Sequence, residues 1–288
     1  MPRSEAALRL LAPAKLNLFL HVVGRRDDGY HLLQTAFRLI DLCDWIALAP
    51  RDDGEIRLAQ GVPGVPAAEN LAVRAARALQ AAAGVRRGAT LAIEKRIPLG
   101  GGLGGGSSDA ATTLIGLNRM WGTELPPEEL ARLAVELGAD VPFFVFGRNA
   151  FAEGIGERLT PLALDPAWYV VLTPGIGVST AAVFAAPELT RDAKPIKITA
   201  FFKGFGRNDL EPVVCARFPA VAEHLAWLRA FGDARMTGSG SSVFAEFGSE
   251  AEARAVVARI PEGMRGFAVR GLDRHPLFEP RQASDALD

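Results

Sequence analysis

Cysteine is nearly absent from this chain: Cys43 and Cys215 are the only two in 288 residues. Two cysteines build neither a disulfide framework nor a zinc site by themselves, so a reducing cytosol and a cytoplasmic location are the economical expectation. No apolar run is long enough to span a bilayer, and "MPRSEAALRLLAPAK" lacks signal-peptide architecture, so neither an anchor nor a leader is expected. An excess of charge of one sign is missing too. Lys and Arg total 32 against 33 Asp and Glu, so no global basic field points to nucleic acid or an anionic membrane as partner. Arg86-Arg87 reads as solvated surface. Internal repeats and long low-complexity segments are lacking, and the tail "PRQASDALD" is expected to fray and do no chemistry. What remains is a chain with 49% hydrophobic and 23% charged residues, enough for a sizeable core in one large domain or two ordinary ones.

Periodicity sketches the organisation. "ALRLLAPAKLNLFLHVVG" reads as strand, a Pro-marked irregularity and strand. "RRDDGYHLL" is a turn, and "LQTAFRLIDLCDWIALAP" holds further strands. "AENLAVRAARALQAAAG" predicts a helix with Leu71, Ala75, Ala78 and Leu79 at helical spacing and Gly84 as its stop. "GATLAIEKRIP" alternates as a strand. A helix is predicted from about Ser107 to Asn118, and another in "PPEELARLAVELG". "LTPLALDPAW", with two prolines, is the linker candidate. Beyond it "YVVLTPG" reads as a buried strand, "STAAVFAAPEL" and "VAEHLAWLRAFG" as helices, and "ARMTGSGSSVFAEF" as strand, glycine turn, strand. "EAEARAVVARI" is a helix and "GFAVRGL" a last strand. The mixed order implies an α+β chain in two lobes, 1–158 and 159–288.

One stretch is overloaded with glycine. From Gly100 to Gly106 six of seven positions are Gly, and Ser107 and Ser108 follow. A strand feeds this run and a helix leaves it. A helix N-terminus carries unsatisfied N–H groups and partial positive charge, and glycine lets an anion reach them without meeting a Cβ. A phosphate cradle is therefore favoured over a plain flexible turn. Gly100, Gly102 and Gly105 satisfy G-x-G-x-x-G, but a second helix follows where a dinucleotide fold needs a strand ending in an acidic residue. No G-K-[ST] is present, so a Walker A loop is excluded.

The run is similar to the second motif of the GHMP kinases, a proline and short spacer before G-L-G-[SG]-[SG]-[SA]. The first motif of that family, P-x-K-x-N, is matched by Pro13-Ala-Lys15-Leu-Asn17, and the third by "MTGSGSSVFA" from Met236 to Ala245. The detail in "PAKLNLFLHVVGRRDDGYHLLQT", "PLGGGLGGGSSDAA", "LGADVPFFV", "AFAEGIGE", "FGRNDLEPV" and "MTGSGSSVF" resembles one member, which phosphorylates a tertiary 2-hydroxyl on a cytidyl-bearing substrate of the non-mevalonate isoprenoid route. The resemblance runs from about Leu10 to Leu272, with no departure at the motif positions. It implies a two-domain fold with the active site in the cleft between lobes, a left-handed βαβ unit in the first lobe, ATP as co-substrate, and a monomer or weak homodimer. Mg²⁺ is expected to accompany ATP on phosphoryl-transfer logic. No metal ligand follows from sequence, and Glu153 is an unsupported candidate.

The resemblance also implies roles for single residues. Asp140, otherwise a turn aspartate before proline, would take the proton of the acceptor hydroxyl. Lys15, otherwise a snorkelling strand-end lysine, would pair with Asp140 and offset developing negative charge. Asn17 lies two residues on, on the same strand face, and would help hold the substrate diol. Pro98, Leu99, Gly100, Gly101, Gly102, Leu103, Gly104, Gly105, Gly106, Ser107 and Ser108 would embrace ATP. Asn70 and Lys95 would lie near adenine, with a helix cap and a solvated lysine as the plain readings. Tyr30 would stack on the cytosine, His31 would bond its edge, and Phe184, by default a core residue, would supply the second stacking face. A different kinase of the family, for homoserine or mevalonate, and a non-catalytic sensor on the same fold are the rival readings.

Overall fold

The computed structural model describes residues 7–278. The expected frayed tail, and part of the N-terminal stretch read for a leader, lie outside the described residues. Two very long strands open the chain, β1 (Leu8–Arg25) and β2 (His31–Arg51), paired antiparallel. The irregularity expected at proline is a register shift between Pro13 and Ala14, and two more follow between Asn17/Phe19 and Val22/Gly24. Pro13 has no N–H for the ladder, so a bulge there is the natural result. β3 (Ile56–Gln60), α1 (Leu71–Ala83) and β4 (Gly88–Glu94) come next, with β3 and β4 parallel. The Asn70 side chain caps α1 by accepting the N–H of Ala72 at 3.0 Å, and Gly84 ends it in the left-handed region.

α2 (Gly105–Met120) begins inside the glycine run, two residues ahead of the expected start. Ser108 to Leu117 are all buried in it, so it is the central helix of the first lobe. α3 (Pro127–Leu137), α4 (Val141–Phe146), β5 (Ala150–Glu153) and β6 (Arg158–Pro161) complete that lobe. The second is built from β7 (Trp168–Thr173), α5 (Thr180–Phe184), α6 (Ile198–Phe201), α7 (Glu211–Arg217), α8 (Pro219–Arg229), β8 (Arg235–Met236), β9 (Val243–Phe247), α9 (Glu250–Val257) and β10 (Arg265–Leu272). Periodicity did not resolve β3, α4, β5, β6, α6 and α7, which are all short and lack a repeat long enough to read. Where several strands were expected across residues 33–50, β2 is one, paired with β1 from His31 to Leu48.

The sheet runs β3-β4-β2-β10-β7-β9-β8, with β1 and β5 also on β2 and β6 on β5. Its two halves join through β10, which pairs with β2 only at Gly271–Ile40 and Leu272–Leu39. β1 reaches the other way: Leu20 donates to Arg207 O and accepts from the Asp209 N–H. One core lies between the first half-sheet and α1–α4, a second under α5, α7, α8 and α9, and a third fills the seam with Leu16, Phe19, Ile40, Tyr169 and Phe244.

Past β10 the chain returns to α2. His275 is fully buried, with Nδ1 accepting the Leu277 N–H and Nε2 facing Thr112 Oγ1, each at 3.2 Å. Burial chiefly, and the Arg119 charge secondarily, push its pKa down to about 3. The folded state therefore keeps His275 neutral where the unfolded chain, titrating near pH 6.5, takes up a proton. Stability from this group is full above pH 6.5 and is lost as pH falls from there toward 3, at up to about 1.4 kcal/mol per unit. In His275→Gln, melting curves between pH 7.5 and 4.5 should lose that component. An unchanged acid slope would assign it to other groups.

Candidate active site

A cavity of about 290 Å³ opens between the lobes, with Lys15, Asn17, Asp140, Phe184 and two glycine loops in its wall. The bulges in β1 set its floor. Lys15 and Asn17 share a face of the strand, and the Lys15 ammonium donates to Asn17 Oδ1. The Asn17 amide is fixed from every side. Its Nδ2 donates to Thr35 Oγ1 at 2.9 Å, its N–H donates to Thr237 Oγ1 at 2.9 Å, and Thr35 Oγ1 donates to Phe19 O. The Lys15 Nζ lies 3.4 Å from Asp140 Oδ2 and 5.5 Å from the centre of the Phe37 ring. The lysine is 2% exposed, whereas the Asp140 side chain is 35% exposed, so the carboxylate is the member that faces incoming solute. Asp140 stands at the N-cap of α4 without spending its side chain on a cap bond.

Two loops roof this pair. The first runs from Pro98 to Gly104, and the Lys15 N–H donates to Leu103 O at 3.0 Å, tying it to β1. Gly102 and Gly104 have φ of +75° and +74°, a region that only glycine occupies without strain. A Cβ on Gly102 would strike Thr237 O, and one on Gly104 would press on the Phe144 ring at 2.9 Å and Lys15 Cε at 3.1 Å. These glycines thus let the two loops and Lys15 close on one another. Ser242 N–H donates to Gly101 O at 3.1 Å, and Asn208 Nδ2 holds Met236 O and Gly238 O, each at 2.8 Å. Because the first helical bond of α2 is Ser108 N–H to Gly104 O, the N–H groups of residues 105–107 have no intrahelical acceptor. Ser107 lines the cavity, and the buried Ser108 Oγ and Ser242 Oγ have no hydrogen-bond partner.

The remaining expected residues are spread more widely. Asn70 caps α1 next to the start of α2, where Leu71 Cδ1 would lie 3.8 Å from a Cβ on Gly106. Leu99 is exposed and Leu103 buried. Lys95 does not line the cavity. Its ammonium bridges Asp44 and Asp109 Oδ2, at 2.8 Å from the latter. Asp44 Oδ1 also accepts the N–H groups of Arg96 and Ile97 at 2.6 and 2.8 Å. Burial pushes the Asp109 carboxyl up to about 7, against the pull of Lys95 and with a further push from Asp44. This triad binds the strand leading into the glycine loop to the helix leaving it.

At the far end of the cavity the His31 ring lies on Phe184, with centroids 4.8 Å apart and planes 28° from parallel. Burial, then the charges of Arg191 and Arg25, lower the His31 pKa. Tyr30 is 61% exposed and lies off the cavity wall, so the ring stacked on Phe184 here is the histidine. Glu153 accepts from Gln34 Nε2 at 2.9 Å. Among the described residues no group of three or more His, Cys, Asp or Glu side chains could hold a metal ion, and no helix is long and apolar enough to cross a membrane. Sequence reading missed Thr35, Thr237, Asn208, Asp44 and Asp109. Thr35, Asp109, Asn208 and Thr237 lie inside the stretches that carry the resemblance without a role read for them, and Asp44 shows as a carboxylate on the strand parity of Ile46 and Leu48.

Residues 70–148 match the family model for the GHMP kinases N terminal domain, and residues 186–266 that for GHMP kinases C terminal. The chain is 60% identical to the 4-diphosphocytidyl-2-C-methyl-D-erythritol kinase of Nitrosospira multiformis, over 96% of this chain and 95% of that protein. It is likewise 60% identical to that of Thiobacillus denitrificans, over 93% and 96%. A crystal structure of 4-(cytidine 5'-diphospho)-2C-methyl-D-erythritol kinase superposes with a TM-score of 0.79 at 40% identity, over 92% of this chain and 99% of that one. A homoserine kinase from Cytophaga hutchinsonii, 16% identical with a TM-score of 0.71 over 96% and 97%, shares the fold.

Proposed function

We infer that this chain, which belongs to the GHMP kinase family, is the ATP-dependent kinase of 4-diphosphocytidyl-2-C-methyl-D-erythritol, forming the 2-phosphate and ADP in the non-mevalonate route to isoprenoid precursors. The observation that carries the residue roles is the Lys15–Asp140 pair at the cavity floor, beneath two interlocked glycine loops. The acceptor hydroxyl approaches Asp140, which takes its proton as the oxygen attacks the γ-phosphorus. The buried Lys15 ammonium and the open N–H groups of α2 face the charge that spreads over the transferred phosphoryl oxygens. Asn17, locked by Thr35 and Thr237, orients the acceptor. The residues from Pro98 to Ser108 carry the ATP phosphates, and the Asn70 corner serves adenine. Lys95 serves the nucleotide from behind by fixing both ends of the loop.

Mg²⁺ bound with ATP takes most of its ligands from phosphate and water. The hydroxyls of Ser107 and Ser108, the latter without a partner, fit such an ion, and its chemistry would be to neutralise phosphate charge. The lobe boundary expected at 158/159 falls in this reading just past β6, because Arg158–Pro161 pair with β5 of the first lobe, and a cytoplasmic monomer or weak homodimer goes with it.

Coupled ADP release with the cytidyl alcohol, homoserine and mevalonate offered separately tests the assignment: turnover should be confined to the first. Phe184→Ala should then raise KM for the cytidyl substrate by the equivalent of about 1–3 kcal/mol, the scale of a lost base–aromatic stack. KM for ATP and the melting temperature should barely move. Equal damage to both KM values in a destabilised protein would return Phe184 to the core.

A further inference from the structure

We propose that Arg191 is a positioning residue for the cytidyl end of the site, holding His31 and Phe184 in one arrangement from the two lobes and fixing the His31 ring as the tautomer protonated on Nδ1. The inference rests on the functional reading above for the identity of the substrate, but not for the geometry.

A single guanidinium makes four hydrogen bonds here. Arg191 Nε donates to His31 Nε2 at 3.2 Å. Its Nη2 donates to Phe184 O at 3.0 Å and Ala186 O at 2.6 Å, and its Nη1 donates to Leu189 O at 3.0 Å. The three carbonyls belong to the end of α5 and the turn that follows, so the arginine gathers the segment that presents the Phe184 ring. The fourth bond crosses to the start of β2 in the other lobe. An arginine nitrogen can only donate, so the His31 Nε2 in this bond is unprotonated and the neutral ring carries its proton on Nδ1. The His31–Phe184 stack and the Arg191–His31 bond therefore specify the ring in both plane and proton. The lowered His31 pKa, caused by burial and by Arg191 and Arg25, agrees with a neutral ring. None of the four bonds goes to a carboxylate, so the arginine is committed to shape and tautomer rather than to a local ion pair.

A lysine cannot reproduce this fork, because it offers a point charge in place of a planar set of donors. The test combines kinetics with nitrogen-resolved NMR of the histidine rings. In the parent protein the His31 spectrum should show the Nδ1–H tautomer. Arg191→Gln should shift the proton toward Nε2 and raise KM for the cytidyl substrate by about 10–100-fold, the range for hydrogen bonds to a charged group. KM for ATP should stay within about twofold, since no contact of Arg191 reaches the glycine loops. Arg191→Lys should recover part of the cytidyl KM. A parent His31 already protonated on Nε2 overturns the proposal without any variant. So does an Arg191→Gln protein whose cytidyl KM is unmoved, or one in which both KM values and the melting temperature suffer alike. Should the parent fail to phosphorylate the cytidyl alcohol, the functional reading falls, while the His31 tautomer and its response to Arg191→Gln still decide the positioning role.

Discussion

Asp140→Asn is expected to lower kcat by about 10²–10⁴-fold, the usual contribution of a positioned general base. Asparagine keeps the shape of the side chain and removes only its capacity to take a proton. The backbone should not respond, because the Asp140 side chain makes no cap bond to α4. Lys15 loses a partner at 3.4 Å but keeps the Asn17 carbonyl oxygen. Asp140 is also partly exposed, so water can replace it beside the lysine, and the loss of stability should be small. KM for ATP should hardly change, since the cradle proposed for its phosphates lies on the glycine loops. Steady-state kinetics and a melting curve on the same preparation check all three statements. Turnover within tenfold of the parent would remove Asp140 from the proton transfer and leave electrostatics from Lys15 and α2 to carry the reaction.

The largest loss of stability is expected from Lys95→Met. Methionine keeps the length of the stem but leaves Asp44, whose side chain is fully buried, and Asp109, whose side chain is 4% exposed, facing each other without a cation. Breaking a buried ion pair from one side costs about 3–5 kcal/mol, which in a chain of this size lowers the melting temperature by roughly 10 °C. The pH dependence has a definite sign. The Asp109 pKa is already pushed up to about 7 with the lysine present. Removing the lysine raises it further, so the variant recovers stability as pH falls and the aspartate takes a proton. Melting curves at pH 6 and 8 should therefore show a smaller deficit at the lower pH, and Lys95→Met combined with Asp109→Asn should recover part of the loss at the higher one. A variant that melts with the parent and is defective only in KM for ATP would make Lys95 a direct nucleotide contact.

These two residues mark how far the sequence could be read. Lys15, Asn17, Asp140 and the glycine run sit in motifs whose spacing survives in one dimension, and the structure brings them within one cavity. The helix that positions Asp140 was not legible, because six residues of "VPFFVF" give no period to recognise. The partners that give each group its chemistry were hidden for a different reason. Thr237 lies 220 residues from the Asn17 amide it accepts from, and Arg191 lies 160 from His31. Such pairs are products of topology, and neither propensity nor local pattern records them. Lys95 shows the cost: as a strand-end lysine beside Arg96 it reads as solvated, and only the convergence of β2 and α2 reveals two carboxylates behind it. The glycine loops were read as open space for an anion, whereas Gly102 and Gly104 also admit protein atoms.

The last strand has a bearing on how the chain is made. β10 supplies the neighbour of β2 at Leu39 and Ile40, two residues wholly buried in the finished protein. During synthesis at about 5–20 residues per second, that edge stays unpaired for roughly tens of seconds until Gly271 and Leu272 leave the ribosome. An unpaired apolar edge invites pairing with another nascent chain. The first lobe can thus collapse on α1–α4 early but is sealed only once residues 271 and 272 emerge, so chains that stop short of residue 271 should depend on chaperones and collect in aggregates, even with Lys15, Asp140 and both glycine loops in place.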